Sequence, residues 1–247
     1  DSAGNAATTV TSSAFTVDTT APSISAIATS DFSWGTSLNA TEDNADGTVS
    51  VTTSGVEDGE TVTLTLNSAT YTGSVTSNAV IITVSAAGLQ ALTDGTSYTM
   101  TADVSDSAGN AATTVTSSAF TVDIALPTIE STSVADGTYN VGDTVAVTIT
   151  AGASETGLTL AGTFNGQTLT GITENGGGTY TGTYTVVEGD PDIADAGAVT
   201  TSITLTDAAG NSSAATTSIA LDGESIDANS PSISSIAAPS WGTSLNA

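Results

Sequence analysis

Apolar and polar residues alternate with a period of two in many short stretches, and no long stretch shows the 3.6-residue period of an amphipathic helix. Glycine, asparagine and aspartate separate these stretches at short intervals, as turns do in antiparallel sheets. The alternation predicts strands at Ser23–Ala28, Thr48–Thr53, Thr61–Asn67, Tyr71–Val75, Val80–Val84, Tyr98–Ser105 and Thr113–Val122, then around residues 145–149 and at Thr159–Phe164, Tyr180–Val186, Val199–Thr206 and Ala215–Leu221. Ala86–Leu92 suggests a short helical turn. So many short strands favour an all-β protein built of Greek-key β-sandwiches.

The sequence also repeats itself. Asp1–Asp18 is identical to Asp106–Asp123, 105 positions later, and Trp34–Ala40 recurs as Trp241–Ala247. A period of this length indicates a tandem array of autonomous domains. We expect four segments: residues 1–21, the last strand of a preceding repeat; residues 22–126, a complete repeat of type A; residues 127–230, a complete repeat of type B with different letters and the same order of strands and turns; and residues 231–247, the first strand of a following type A repeat.

The charge of the chain is entirely negative. It has 26 acidic residues and no lysine, arginine or histidine, which gives a formal charge of -26 at pH 7. Nucleic-acid binding is therefore not expected, and an anionic membrane surface would repel the protein. With no cysteine or histidine, zinc, haem and iron–sulfur sites are excluded and only oxygen ligands are available. Such ligands favour a hard divalent cation, Ca²⁺ before Mg²⁺.

The same missing residue types argue against catalysis. A catalytic triad needs histidine, a Schiff base needs lysine, and phosphoryl transfer usually needs a basic clamp. Paired carboxylates leave glycoside hydrolysis open, but that chemistry also needs an aromatic-lined groove. Trp34 and Trp241 are one repeat position seen twice. We expect a protein that is not an enzyme.

Two phrases in the sequence resemble a known family. The first is Asp-x-Ala-Gly-Asn, followed by a Thr/Ser-rich strand and by the residues of Phe15–Pro22; the second is Tyr139–Asp143. Both are similar to the bacterial immunoglobulin-like tandem repeats of giant type-I-secreted, RTX-like surface adhesins. The resemblance covers nearly the whole chain. It implies immunoglobulin-like sandwiches in an extended array that forms a secreted or cell-surface, non-catalytic stalk, often with Ca²⁺ between consecutive domains.

Acidic residues are expected to converge where one sandwich joins the next. In this fold the turn before the last strand and the turn between the second and third strands lie where the chain enters, next to the last residue of the preceding domain. The candidate Ca²⁺ ligands are Asp18, Glu57, Asp58, Glu60 and Asp106 at the first junction, Asp123, Glu155 and Asp207 at the second, and Asp222 and Asp227 at the third. The alternative is that these residues only satisfy the backbone of solvated turns.

The junction between types A and B departs from the family phrase. Its linker, Ile124–Pro127, lacks the two threonines that follow Asp18, so apolar contact is expected to matter more there than metal. The acidic stretches Glu42–Asp46 and Asp190–Asp195 are expected to be solvated turns. Trp34 is expected in a core or between domains, and the tyrosines in strands: Tyr71, Tyr98, Tyr139, Tyr180 and Tyr184.

Three functions are compatible with these features. The leading hypothesis is a structural spacer in a repetitive bacterial adhesin or surface filament, which contacts neighbouring repeats and is stiffened by Ca²⁺. The second is a subunit of an extracellular matrix fibre that assembles with copies of itself by strand addition. The third is a carbohydrate-binding module, which requires an exposed aromatic platform. No motif identifies an adhesive target.

Overall fold

The computed structural model describes residues 1–236, which fall into two compact units that meet between Ile124 and Ala125. Both units are almost entirely β, as the alternation predicts. None of the helices in this part of the chain is long and apolar enough to span a membrane. The expected first strand of a following repeat extends beyond residue 236, so residues 237–247, Trp241 among them, lie outside the described residues.

The first unit contains ten strands and two short helical turns. The strands are β1 (Ser23–Ile24), β2 (Ser37–Leu38), β3 (Gly47–Ser54), β4 (Thr61–Leu66), β5 (Ala69–Ser74), β6 (Ala79–Val84), β7 (Ser97–Tyr98), β8 (Met100–Asp103), β9 (Val115–Thr116) and β10 (Phe120–Val122), with α1 at Ala86–Leu89 and a 3₁₀ turn at Thr29–Asp31. They form sheets in the orders β1-β3-β6, β5-β4-β8-β9 and β2-β10-β7. The pairing of β10 with β2 is parallel, and the other pairings are antiparallel.

One core fills the first unit. Alternate residues of β3, β4 and β6 point into it, and an aromatic group closes one part of it. The Phe120 ring lies 5.3 Å from the Trp34 ring and 5.7 Å from the Phe32 ring, measured between centroids. A Cβ atom on Gly47 would lie 2.5 Å from the Trp34 ring, which explains the glycine at the start of β3. Trp34 is therefore a core residue, as expected, and cannot serve as a carbohydrate platform.

The second unit repeats this plan with longer strands. They are β11 (Ile129–Val134), β12 (Gly137–Asn140), β13 (Thr144–Ala151), β14 (Thr159–Phe164), β15 (Gln167–Thr168), β16 (Thr170–Gly176), β17 (Thr179–Thr185), β18 (Ala198–Thr206), β19 (Thr216–Ala220) and β20 (Glu224–Asp227), with a 3₁₀ turn at Gly152–Ser154. The sheets are β11-β13-β17-β16, β15-β14-β18-β19 and the parallel pair β12-β20. Its separate core includes the buried rings of Phe164, Tyr180 and Tyr184.

Several strand predictions are wrong in their extent. The expected strand Thr113–Val122 is two strands, because β9 pairs with β8 while β10 changes partners and pairs with β2 and β7. The expected first strand, Ser23–Ala28, is only Ser23–Ile24. Ala215–Leu221 is not the last strand of the second unit, because Gly223 begins a turn and β20 follows. The five tyrosines lie in strands, as expected.

The segment before β1 forms no strand. Its apolar side chains Val10, Phe15 and Val17 are 91%, 85% and 76% exposed. In the identical copy within the first unit, Phe120 and Val122 are each 1% exposed. The same residues are therefore buried only where partner strands surround them, so tertiary contacts rather than local sequence decide whether this segment forms a strand.

Candidate functional site

The turn between β8 and β9 is closed by one aspartate. The carboxylate of Asp106 accepts hydrogen bonds from the Asn110 backbone N–H at 2.7 Å and from the Asn110 side-chain amide at 2.8 Å. The Gly109 N–H donates to the Asp106 carbonyl, and the positive φ of Gly109 allows the tight reversal. Asp207 and Asn211 build the same turn in the second unit, and Asp1 and Asn5 build it before β1. The Asp-x-Ala-Gly-Asn phrase is thus a self-contained loop, and its aspartate closes that loop.

Two neighbours join this turn in the first unit. The Glu57 carboxylate accepts hydrogen bonds from the Ser107 N–H at 3.0 Å and from the Ser107 hydroxyl at 2.7 Å. The side-chain amide of Asn110 donates to the Asp18 carbonyl at 3.3 Å. Asp18 and Glu57 also line a depression of about 410 Å³. The predicted approach of Asp18, Glu57 and Asp106 at this end of the unit is therefore present.

The other two candidates of this set point elsewhere. Asp58 accepts a hydrogen bond from the Ser77 N–H at 2.7 Å, which fixes the neighbouring hairpin turn. Glu60 lines a different depression together with Asp103 and Ser105. The acidic turn Glu57–Glu60 therefore does not aim its carboxylates at one point.

The candidates of the second and third sets have separate surroundings. The Tyr180 hydroxyl donates a hydrogen bond to the backbone carbonyl oxygen of the half-buried Glu155, at 3.1 Å. Asp123 follows β10, and its N–H donates to the Leu38 carbonyl. Asp222 lies in the turn between β19 and β20, whereas Asp227 is the last residue of β20.

The position of Asp227 shows which of the two candidate aspartates near the end of the second unit corresponds to Asp123. Asp123 follows β10, Asp227 ends β20, and each of these strands pairs in parallel with an early strand of its unit. Each aspartate precedes a proline by four positions, Pro127 and Pro231, as Asp18 precedes Pro22. Asp227 is therefore the counterpart of Asp123, and Asp222 is not. The shared Asp-x-x-x-Pro spacing is the sequence signal that identifies it.

The pKa values of Asp106 and Glu57, which lie where the chain enters the first unit, are both lowered, but by different hydrogen bonds. Hydrogen bonds from the Asn110 side chain hold the pKa of Asp106 below its ordinary value, although burial opposes the shift. Hydrogen bonds from the Ser107 backbone and hydroxyl lower the pKa of Glu57, while burial and the negative charge of Asp106 raise it. Both groups are therefore ionised at neutral pH, and their like charges repel each other.

The stretch Asp190–Asp195 is not the solvated turn that we expected. Asp190 is 9% exposed and accepts hydrogen bonds from the Tyr184 hydroxyl at 2.6 Å, the Gln167 amide at 2.9 Å and the Val187 N–H at 3.0 Å. Asp192 accepts the Ala228 N–H, and Asp195 accepts the Gly223 N–H. The loop therefore binds the segment that contains β20 through its carboxylates.

The stretch Glu42–Asp46 is also more structural than expected. Asp43 is buried and accepts the Asn44 amide, and Glu42 accepts the Asn39 N–H. Asp46 accepts the N–H of Ala86, the first residue of α1. Both stretches were expected to be exposed, because the sequence alone does not show which backbone N–H groups face their carboxylates.

The oxygen atoms available where the chain enters the first unit are of the kind that bind a hard cation. Glu57 and Asp106 supply carboxylate oxygens and Asp18 supplies a carbonyl, which are the oxygen ligands that Ca²⁺ takes. Among residues 1–236, however, no three acidic side chains lie close enough together to hold a metal ion. A cation at this point would need water or backbone carbonyls to complete its coordination.

Three structures of bacterial adhesin domains are among the solved structures that this chain resembles. The first, of a 1.5-MDa bacterial ice-binding adhesin, is 23% identical, covers 83% of this chain and 64% of that chain, and has a TM-score of 0.45. The second, of a Ca²⁺-stabilised adhesin with which an Antarctic bacterium reaches out and binds ice, is 28% identical over 92% of this chain and 55% of that chain, with a TM-score of 0.47. The third, a bacterial immunoglobulin-like domain of the M. primoryensis ice-binding adhesin, is 32% identical over 41% of this chain and 95% of that domain, with a TM-score of 0.29.

The strand orders described above define two immunoglobulin-like β-sandwiches in one chain. The chain resembles the bacterial immunoglobulin-like domains found in large adhesins, with 32% identity to one such domain over 41% of this chain. It spans 64% and 55% of the first two adhesin chains. No protein-family model and no curated protein sequence matches it.

The lowered pKa values predict acid sensitivity of the first unit. A group whose pKa is lower in the folded state stabilises that state above its unfolded pKa, and the contribution is lost as the pH falls through the folded pKa. The thermal midpoint of the first unit should therefore fall between about pH 5 and pH 2. Glu57→Gln removes one of the two carboxyl groups whose pKa is lowered, so the thermal midpoint of this variant should fall less steeply over that range. Equal slopes for both proteins, measured by circular dichroism, would contradict the assignment.

Proposed function

We propose that this chain is a non-catalytic extracellular spacer of a bacterial adhesin or surface filament, in which Ca²⁺ stiffens the junctions between sandwiches. The proposal rests on autonomous β-sandwich repeats, a charge of -26 without any basic side chain, and the likeness to adhesin domains. The residue types needed for most covalent and acid–base catalysis are missing from the chain. Its mechanical role would be to hold a distal binding module away from the cell.

One contact carries the proposal. The loop closed by Asp106 and Asn110 reaches the entering chain, because the Asn110 amide donates to the Asp18 carbonyl. A rigid turn of the sandwich therefore holds the segment that leads into the domain. Asp207 and Asn211 repeat the geometry of this turn in the second unit, as expected for a device used at every repeat.

Calcium would act on the repulsion at this entry. Glu57 and Asp106 are both ionised, and the Asp106 charge raises the pKa of Glu57. A bound divalent cation would neutralise this repulsion and draw the Asp18 carbonyl into the same coordination sphere. One of the similar structures is described as a Ca²⁺-stabilised adhesin. Because extracellular modules bind Ca²⁺ with dissociation constants of about 10⁻⁴ to 10⁻³ M, we expect occupancy in millimolar calcium.

The fibre alternative has a weaker physical basis. If Asp1–Asp18 of one molecule took the place of Asp106–Asp123 in another, it would displace a segment of identical sequence. The apolar surface gained by burying Phe15 would be lost by exposing Phe120. Such an exchange has no net contact energy to offset the entropy lost on association.

Calcium should stabilise the first unit measurably. At 10 mM, a site with a dissociation constant of about 10⁻³ M adds about 1.4 kcal/mol, which raises the melting temperature of a domain of this size by about 5 °C. Glu57→Gln should lose most of this increase. Asp58→Asn is the matched control, because Asp58 belongs to the same turn but faces Ser77, and it should keep the increase.

Scanning calorimetry in calcium and in chelator gives the measurement. The same increase in Glu57→Gln and in the unchanged protein would show that calcium acts elsewhere. No increase in the unchanged protein would remove calcium from the proposed function and leave the spacer role.

A further inference from the structure

The second unit contains a cavity that the spacer role does not use. It has a volume of about 380 Å³ and lies between the turn that joins β14 to β15 and the loop that follows β17. Most of its accessible lining is apolar, and a few polar side chains converge within it; the lining residues that matter here are Asn165, Gln167, Asp190, Thr200, Pro191 and Ile193. Asn165 and Asp190 are 4% and 9% exposed, so the polar lining is built into the domain.

The orientation of both amide side chains follows from their partners. Asn165 donates its NH₂ group to the Pro191 carbonyl at 3.0 Å and to the Tyr184 hydroxyl oxygen at 3.2 Å. Because a carbonyl can only accept, the Asn165 nitrogen must face Pro191. Gln167 donates its NH₂ group to the Asp190 carboxylate at 2.9 Å, and an ionised carboxylate can only accept. The NH₂ groups of Asn165 and Gln167 therefore donate to acceptors within the protein.

The groups left over are acceptors. In the described part of the chain, no hydrogen-bond donor reaches the Oδ1 atom of Asn165 or the Oε1 atom of Gln167. Asp190 is ionised, because the hydrogen bonds from Tyr184, Gln167 and Val187 lower its pKa and outweigh the opposing effect of burial. Burial raises the pKa of Tyr184 to about 12, so its hydroxyl keeps its proton. The cavity thus offers oxygen acceptors and one negative charge.

We propose that this cavity binds a primary alkylammonium group, such as a lysine side chain of a partner protein. An ammonium carries three donors and no acceptor, which complements Asn165, Gln167 and Asp190. Its alkyl stem would pack against Pro191 and Ile193 while the charged head meets the oxygens. These 247 residues contain no lysine or arginine, so they supply no side chain of this kind themselves.

The geometry favours an ammonium over two other kinds of ligand, a sugar and a calcium ion. A sugar usually stacks on an exposed aromatic ring, and the aromatic residue here, Tyr184, is 1% exposed. Calcium takes six to eight oxygens and favours several carboxylates, whereas the lining has one carboxylate, Asp190. A single site of this kind would be weak, but several type B repeats in one array would bind a lysine-rich surface with avidity.

The test uses the full chain and n-butylammonium chloride in 150 mM sodium chloride. Amide chemical shifts of residues 165–167, 189–190 and 192–193 should change saturably, with a dissociation constant of about 1 to 10 mM, and n-butanol should leave them unchanged. Gln167→Leu, a change at an exposed residue, should weaken binding about tenfold. Thr168→Ala, the next residue along the chain and outside the lining, should bind like the unchanged protein.

Three results with the unchanged protein, and one with a variant, would overturn the proposal. One is equal shifts with n-butanol, and another is equal shifts at all acidic turns, which would show only the attraction of a cation to a negative protein. The third is a change at these residues with calcium chloride or glucose but not with butylammonium. Asp190→Asn keeps the size of the side chain and removes its charge, so normal affinity in that folded variant would also contradict the proposal.

Discussion

Phe120→Ala is expected to destabilise the first unit by about 3 to 5 kcal/mol, whereas Phe15→Ala should change its stability by less than about 0.5 kcal/mol. The two phenylalanines stand in identical eighteen-residue sequences. Phe120 is 1% exposed and packs against Trp34 and Phe32, while Phe15 is 85% exposed. Removing the buried ring leaves a cavity that the surrounding strands cannot fill.

Urea unfolding monitored by tryptophan fluorescence gives the comparison, because Trp34 contacts the Phe120 ring. A loss of about 3 kcal/mol is a large part of the 5 to 15 kcal/mol that stabilises a typical domain, so the first unit should unfold at much lower urea concentration. The pair of variants holds local sequence constant and changes only burial. Equal effects of the two substitutions would contradict the assignment of the core.

Asp190→Ala is expected to cost the second unit about 3 kcal/mol. The change leaves the Tyr184 hydroxyl, the Gln167 amide and the Val187 N–H without their acceptor. Tyr184 is the buried member of the three, and leaving its hydroxyl unpaired costs about 1 to 3 kcal/mol, to which the loss of the other two hydrogen bonds to a charged group adds. Asp190→Asn should cost less, because its amide oxygen can still accept the Tyr184 proton. Chemical denaturation of the three proteins gives the measurement.

Two controls separate the hydrogen bonds from other effects of the loop. Tyr184→Phe removes one donor and should make the cost of Asp190→Ala smaller, because fewer groups then lose a partner. Thr168→Ala, at an exposed position in the same unit, should leave stability unchanged. A cost of Asp190→Ala below about 0.5 kcal/mol would show that this carboxylate is as dispensable as a solvated turn residue.

The sandwiches could be predicted because their strands alternate strongly. Val49 and Val51, and likewise Val145 and Val147, point into cores, as their spacing requires. The parallel edge strands β2 and β12 could not be predicted, because they have only two and four residues and pair with β10 and β20, near the far end of each repeat. Alternation in Ala215–Leu221 therefore outweighed the weaker signal of Glu224–Asp227.

The candidate site was predicted in location more than in detail. The phrase Asp-x-Ala-Gly-Asn indicated the entry turn, and Asp18 and Glu57 do approach it. The sequence could not show that Asp106 closes its own loop through both carboxylate oxygens. It also could not show that Asp190 is buried, because an aspartate in a polar loop is usually solvated and only the fold brings Tyr184 to it.

Small-angle X-ray scattering of the full chain, in calcium and in chelator at matched ionic strength, tests the central claim most directly. If calcium stiffens the junctions, the chain in calcium should scatter as an extended particle with little flexibility. In chelator the same chain should show the scattering of two sandwiches joined by a flexible linker. Superimposable curves in calcium and chelator would contradict the account of a calcium-stiffened spacer.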